Sequence, residues 1–260
     1  MENKLRNKMR KGEPTVGTRV QINWPMITEL IGYTGMYDYV EFLAEYAPYT
    51  LYDFRHIGLA AEHVGIAAMI KLDQEPRTYF AGRALAAGIL NVLFADIRTV
   101  ADAEVAVNAV RAEPKGLNGA KADRWIGYVG ATGDLKDVVQ MCDEAVVALM
   151  IEKKSAVENL EAILSVEGVD MVQFGPSDYS ISLGLPGEHN HPKVKEAELK
   201  TIKTALKMDV APRAELTNPA DAQKYIDLGV RDFSLNTDVE ILFRWWKEKG
   251  NELQKTLETL

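Results

Sequence analysis

Val169-Asp170-Met171-Val172-Gln173-Phe174-Gly175-Pro176-Ser177-Asp178-Tyr179-Ser180 decides how this chain of 260 residues is read. Its first half is a short β-branched and aromatic run, the pattern of a buried strand. Gly175-Pro176 stops regular pairing, and Asp178 follows at once on the loop. A carboxylate just past the C-terminal end of an inner strand is where α/β barrels and open α/β sheets keep their chemistry. Glu152 closes the run Ala145-Val146-Val147-Ala148-Leu149-Met150-Ile151 in the same way. Two carboxylates at equivalent strand ends make a candidate site for a hard divalent cation.

Working outward, strand and helix patterns alternate along the chain. Alternation and β-branched runs predict strands over 18–23, 37–43, 66–72, 89–97, 145–152, 169–174, 210–216 and 232–236. Helical stretches are expected over 26–33 behind Pro25, 50–64, 75–87, and from a Thr99 cap to 111. Further helices fall over 134–142, 155–164 with the capping-box spacing Ser155-Ala156-Val157-Glu158, 192–207, 219–228 and 239–256. Eight β/α units with short connections favour parallel strands, and at this length they point to a (β/α)8 TIM barrel. A doubly wound open sheet is the main alternative, but no glycine fingerprint opens a first helix. The expectation is one domain over 1–260, with a basic leader at 1–15 and a long loop at 113–133. That loop, which holds Trp125 and Tyr128, is either functional or a surface excursion packed by its aromatic residues.

Composition sets limits on function. The chain is 47% hydrophobic and 26% charged, as expected of a globular protein, and its formal net charge is -8. That charge argues against general affinity for nucleic acid or an anionic membrane. The single cysteine, Cys142, excludes an intramolecular disulfide and suits a reducing cytoplasm. The charged start Met1-Glu2-Asn3-Lys4-Leu5-Arg6 lacks the apolar core of a signal peptide, and no apolar run approaches the ~20 residues that span a bilayer. A cytoplasmic protein without nucleic-acid or membrane partners is expected.

In a barrel the C-terminal strand ends meet in one cavity. That set is Asn23, Glu45, Tyr46, Lys71, Asp96, Glu152, Gly175, Asp178, Glu215, Asn236 and Asp238. Mg²⁺ or Mn²⁺ takes oxygen ligands and keeps several waters, so Glu152, Asp178 and a bidentate oxo acid could complete an octahedron. Each carboxylate also has an ordinary alternative, as a helix cap or an ion pair. Zinc lacks a Cys/His cluster of suitable spacing. Gly175, Pro176 and Ser177 form a turn whose backbone N–H groups can approach an anionic oxygen closely. Lys71 could meet a substrate carboxylate as a point charge, or pair inside the barrel mouth. His56 and His63 share an outer helix, while His189 and His191 lie in a Gly/Pro-rich loop; all four read as packing or surface groups. Trp245 and Trp246 read as packing against the barrel or another subunit, and Cys142 has no adjacent base to make it a nucleophile.

The stretch Val166-Glu167-Gly168-Val169-Asp170, followed by Phe174-Gly175-Pro176-Ser177-Asp178-Tyr179-Ser180, resembles the HpcH/HpaI aldolase family, class II pyruvate aldolases related to citrate lyase. Met150-Ile151-Glu152, Ala44-Glu45-Tyr46-Ala47-Pro48, Pro114-Lys115-Gly116-Leu117-Asn118-Gly119 and Leu228-Gly229 fall in the family's order, so the resemblance covers nearly the whole chain. It implies a (β/α)8 barrel, often with the last helix exchanged between subunits of a hexamer. It also implies a divalent metal held by Glu152 and Asp178, with Mg²⁺ or Mn²⁺ the first candidates and Co²⁺ a third. Pyruvate or its enolate would chelate that metal, and the backbone near Gly175 and Ser177 would hold the carboxylate.

The sequence also departs from the family's pattern. The usual Glu-His pair is Glu45-Tyr46 here, so the histidine base is missing, and its aspartate partner falls at Ala86. The arginine that polarises the keto oxygen is Lys71, and a family proline is replaced near Ala95-Asp96. Lys71, Tyr46 and Glu45 are therefore the candidate catalytic groups. Tyr46, with an unperturbed pKa of about 10, needs a strong shift to act as a base. The expected function is a metal-dependent carbon–carbon lyase acting on a small 2-oxo acid, by retro-aldol cleavage or decarboxylation. A barrel that binds metal and oxo acid without turnover is the alternative, and metal-enolate chemistry on a larger or aromatic substrate, with Tyr46, Tyr49, Trp125 and Tyr128 around it, is a third.

Overall fold

The computed structural model describes residues 2–120, 123, 124, 127, 128 and 134–260. Eight parallel strands close into a barrel in sequence order, the last pairing with the first. They are β1 (Thr15–Val20), β2 (Tyr39–Leu43), β3 (Ala67–Leu72), β4 (Asn91–Phe94), β5 (Val146–Ile151), β6 (Met171–Phe174), β7 (Ala211–Leu216) and β8 (Asp232–Thr237). Strands β2 to β6 are buried along their whole length, which is why they read as continuous apolar runs and not as alternating ones.

Period two sorts each strand into an inner and an outer row. Val40, Phe42, Ile70, Val92, Val147, Leu149 and Val172 belong to the large core between the sheet and its helices. Tyr39, Met69, Leu93, Val146, Ala148, Met150 and Met171 form a second cluster inside the barrel. Continuing the inner row beyond Met69 gives Lys71, and continuing it beyond Met150 gives Glu152. The same alternation that builds the core therefore delivers these two charges to the C-terminal mouth.

The outer layer holds α2 (Pro25–Tyr33), α3 (Leu51–His63), α4 (Arg77–Ala87), α5 (Val100–Val110), α6 (Leu135–Glu144), α7 (Lys154–Glu158), α8 (Leu160–Leu164), α9 (Pro176–Ser182), α10 (Pro192–Lys207), α11 (Ala222–Ile226) and α12 (Asp238–Leu257). Among the described residues no helix is long and apolar enough to cross a membrane. Thr99 caps α5 as expected, its side chain accepting from the Asp102 N–H. Tyr49 packs among Phe42, Phe54 and Phe80, and His63 meets the Tyr33 hydroxyl on the outer layer.

Several expectations need correction. The leader at 1–15 contains a helix, α1 (Lys4–Lys11), whose Leu5 is fully buried against the N-terminal strand ends. Strand β1 runs 15–20 and not 18–23, because the Asp238 carboxylate takes the N–H groups of Gln21 and Ile22 and draws the chain off the ladder. Asn23 therefore lies beyond the strand end, and Arg19 takes the inner position. Strand β4 is shorter than 89–97; Asp96 sits at φ 55, a left-handed conformation that ends extension. No capping box opens at Ser155: the helix starts at Lys154, whose N–H is held by the Ser182 hydroxyl, and it breaks at Asn159. The 219–228 stretch divides into a 3₁₀ turn at Pro219–Asp221 and α11. Within the 113–133 loop, Asn118 pairs with the Ala112 backbone, and Tyr128 accepts from Arg55 at 2.8 Å. Trp125, with 121, 122, 126 and 129–133, lies outside the described residues.

Candidate active site

A cavity of about 150 Å³ opens at the C-terminal mouth and is lined by Tyr46, Lys71, Glu152, Gly175, Pro176, Ser177 and Asp178. The structure thus brings together the sequence-predicted residues from the ends of β2, β3, β5 and β6. Glu45 stands just behind, paired with Lys71.

Asp178 is not on a loop. It lies in the first turn of α9, which Pro176 starts at a position where a missing N–H costs nothing. Glu152 is almost fully buried, and its Oε1 accepts from the Asp96 N–H at 2.8 Å. Burial raises the Glu152 pKa; the Lys71 charge and the Asp96 N–H oppose this, and the charge of Asp178 adds to it. The two carboxylates are therefore electrostatic neighbours. Gly175 makes room for the Glu152 side chain, because a Cβ there would meet Glu152 Cβ and Oε2 at 2.8 Å. Asp178 in turn accepts from Lys153 through Oδ1 at 2.9 Å.

The resemblance implies a divalent metal, and this donor set fits one. Glu152 uses Oε1 on the backbone, which leaves Oε2 at the edge of the cavity, and both donors are hard oxygens. Among the described residues no group of three His, Cys, Asp or Glu side chains is arranged to hold a metal ion by itself. A cation here would thus complete its shell with water and substrate oxygens, as Mg²⁺-type sites do.

Across the cavity Lys71 is almost fully buried. It donates to the Tyr46 hydroxyl oxygen at 2.7 Å and pairs with Glu45 Oε2 at 2.5 Å. Burial works against the ammonium, but Tyr46, Glu152 and Glu45 together outweigh it and raise the pKa, so Lys71 is a fixed cation. The Tyr46 pKa is also raised: burial leads, Lys71 opposes it and Glu45 adds to it. The phenol that stands where a base was sought is thus held in its protonated form.

The turn at Gly175 offers fewer donors than expected. The Gly175 N–H is committed to the Ile151 carbonyl at 3.0 Å, and Pro176 has none, so the donor reading moves to Ser177. Other strand-end residues are structural. Asn236 donates to the Thr217 carbonyl and Asp238 ties down 21–22. His191 caps α10 through its ring nitrogen, and Cys142 is buried.

Sequence reading named Glu215 but missed the rest of the polar network in which it sits. Arg19 pairs with Glu215, Glu215 accepts from Gln173 at 2.9 Å, Gln173 accepts from Arg213 at 2.5 Å, and Arg213 pairs with Glu41. The signal was present: Glu41, Gln173 and Arg213 are polar residues on the inner rows of otherwise apolar strands. Lys153 was missed as well, since a lysine just past a strand reads as an ordinary surface group.

Fold and site together define a parallel (β/α)8 barrel with a carboxylate pair facing a fixed cation at its C-terminal mouth. The model of the HpcH/HpaI aldolase/citrate lyase family matches residues 30–243, and the chain belongs to that family. It is 30% identical over 247 residues to a 2-keto-3-deoxy-L-rhamnonate aldolase of Salmonella typhimurium, covering 92% of this chain and 88% of the other. The solved structure of an HpcH/HpaI aldolase from Desulfitobacterium hafniense superposes with a TM-score of 0.86 at 25% identity, covering 96% of each chain. Citrate synthase SbnG superposes with a TM-score of 0.89 at 22% identity, covering 99% of this chain and 100% of the other, a likeness of fold. With this family and these relatives, the chain is a carbon–carbon lyase of the aldolase kind.

Proposed function

We propose that the protein cleaves a carbon–carbon bond of a small 2-oxo acid through an enolate, with Glu152 and Asp178 holding Mg²⁺ or Mn²⁺. A bound cation would supply Lewis-acid stabilisation of charge developing on the oxo oxygen. Lys71 faces the same cavity as a fixed ammonium and polarises that oxygen from the other side. The Ser177 N–H, beside Gly175 and Pro176, holds the substrate carboxylate.

The observation that carries the choice of reaction is the protonated Tyr46 against Lys71. Retro-aldol cleavage needs a base for a hydroxyl proton, and this phenol is a poor one. Decarboxylation of a 3-carboxylated 2-oxo acid such as oxaloacetate needs no base. The C–C bond to the departing CO₂ breaks, its electron pair forms the enolate, and Tyr46 O–H delivers a proton to carbon. Lys71 at 2.7 Å stabilises the transient phenolate, and solvent at the half-exposed ring returns the proton. Oxaloacetate and 4-hydroxy-2-oxo acids are assayed for pyruvate release with Mg²⁺ or Mn²⁺. Release from oxaloacetate should be the faster, and no pyruvate from any of them with metal demonstrably bound would overturn the reading.

We further propose that the chain assembles as a homo-oligomer, a hexamer by resemblance, in the cytoplasm. Helix α12 supports the assembly: Phe243, Trp245, Trp246, Leu253 and Leu257 on it are exposed, while its main contacts are with β1 and β8.

A further inference from the structure

Lys153 follows Glu152 directly and reaches in two directions. Its ammonium lies 2.6 Å from Asp96 Oδ1 and 2.9 Å from Asp178 Oδ1, with the side chain only 13% exposed. Asp96 sits in the left-handed region, which aspartate tolerates better than most residues, and there its N–H reaches Glu152 Oε1 at 2.8 Å. One residue therefore serves both carboxylates, Glu152 through its backbone and Asp178 through Lys153.

For a divalent cation arriving at this pair the ammonium is a rival. It holds an oxygen of Asp178 and adds positive charge within a few ångströms, from a largely buried lysine to a half-exposed carboxylate. Asp96 tempers that rivalry, since it shares the same ammonium with Asp178. We propose that Lys153 is an internal competitor for the metal, so that the free site binds divalent cations weakly and fills once an oxo acid supplies two further oxygens. The inference rests on the reading of Glu152 and Asp178 as the metal-holding pair.

The test is calorimetric titration of Mn²⁺ into the full-length protein and variants, with folding checked by thermal melting. Lys153→Met should bind Mn²⁺ at least tenfold more tightly than wild type, and Lys153→Gln should do the same should the methionine variant fold poorly. Asp96→Asn keeps the left-handed backbone and its N–H but releases Lys153 onto Asp178, so Mn²⁺ binding should weaken at least threefold. Lys154→Met removes the same charge from an exposed side chain paired with Glu158 and should change nothing. Oxalate, a stable two-oxygen chelator, should tighten Mn²⁺ binding to wild type at least tenfold. If Glu152→Gln abolishes binding while neither Lys153 variant binds more tightly, the competitor role is wrong and the metal pair stands. If Glu152→Gln binds like wild type, the metal pair is wrong and the competitor role falls with it.

Discussion

At the scale of single residues, the proposed chemistry turns on Tyr46. A phenol needed as an acid must keep its proton, and its pKa is raised above the ordinary value of about 10. The protonated form is then present from acid pH through neutrality and is lost only as pH rises past that value. The Tyr46-dependent rate should accordingly stay flat from pH 7 to 9, whereas a Tyr46 base would give a rate climbing over the same range. Tyr46→Phe should lower kcat on oxaloacetate by about 10²–10⁴-fold, the usual weight of a positioned acid, and leave Mn²⁺ affinity unchanged. Glu152 was legible in the sequence because it directly follows a hydrophobic run, and Asp178 because Gly175-Pro176 marks the end of the next one just ahead of it. Lys153 was not, because its meaning depends on Asp96, a residue from another β/α unit brought beside it by barrel closure alone.

At the scale of elements, α1 shows how tertiary packing supplies what local pattern lacks. Lys-Leu-Arg-Asn-Lys-Met-Arg-Lys offers only Leu5 and Met9 as an apolar stripe, too little for periodicity to announce a helix. Yet Leu5 fills the N-terminal mouth of the barrel, and Arg6 binds Asp170 at 2.6 Å beside Arg111 at 3.0 Å. The helix stands because the barrel floor requires a plug. Leu5→Ala should therefore cost about 2–5 kcal/mol of stability, seen as a lower denaturation midpoint. Its kcat should be unaltered, since the site is at the opposite end. Helix α9 was hidden for a related reason: at 7 residues it is shorter than the windows that reveal helical periodicity. Its proline reads as a stop to the strand before it reads as the first residue of a helix. The limits of β1 failed differently, since Asp238 from the far end of the chain decides where that strand stops.

At the scale of the whole molecule, eight strands were legible because a parallel barrel buries most of each, and β2 to β6 along their whole length. What covers the barrel's own surface was not, because one chain's sequence does not separate a face that meets its own core from one that meets a neighbour. The interior makes the first kind of test. Arg213 and Glu41 are buried together within the polar floor, so Arg213→Met leaves a carboxylate without its partner and should cost about 3–5 kcal/mol, with Glu41→Met on the same chain restoring most of the loss. Helix α12 makes the second kind. It is 20 residues long and its buried residue is Asp238 at the start, while Trp245 and Trp246 are 59% and 62% exposed. Helix α2 and its flanks expose Trp24, Met26, Leu30, Tyr33 and Met36 as well. Monomers seldom leave large apolar patches in water, and the proposed assembly would cover the exposed aromatic residues of α12 by burying that face. Replacing Trp245 and Trp246 together by serine should shift the protein from an assembly to smaller species in sedimentation velocity at micromolar concentration. Each subunit should keep its far-ultraviolet circular dichroism, because neither side chain belongs to the barrel core. An unchanged sedimentation coefficient would assign that face to some other role and leave the barrel, with its cavity, complete in one chain.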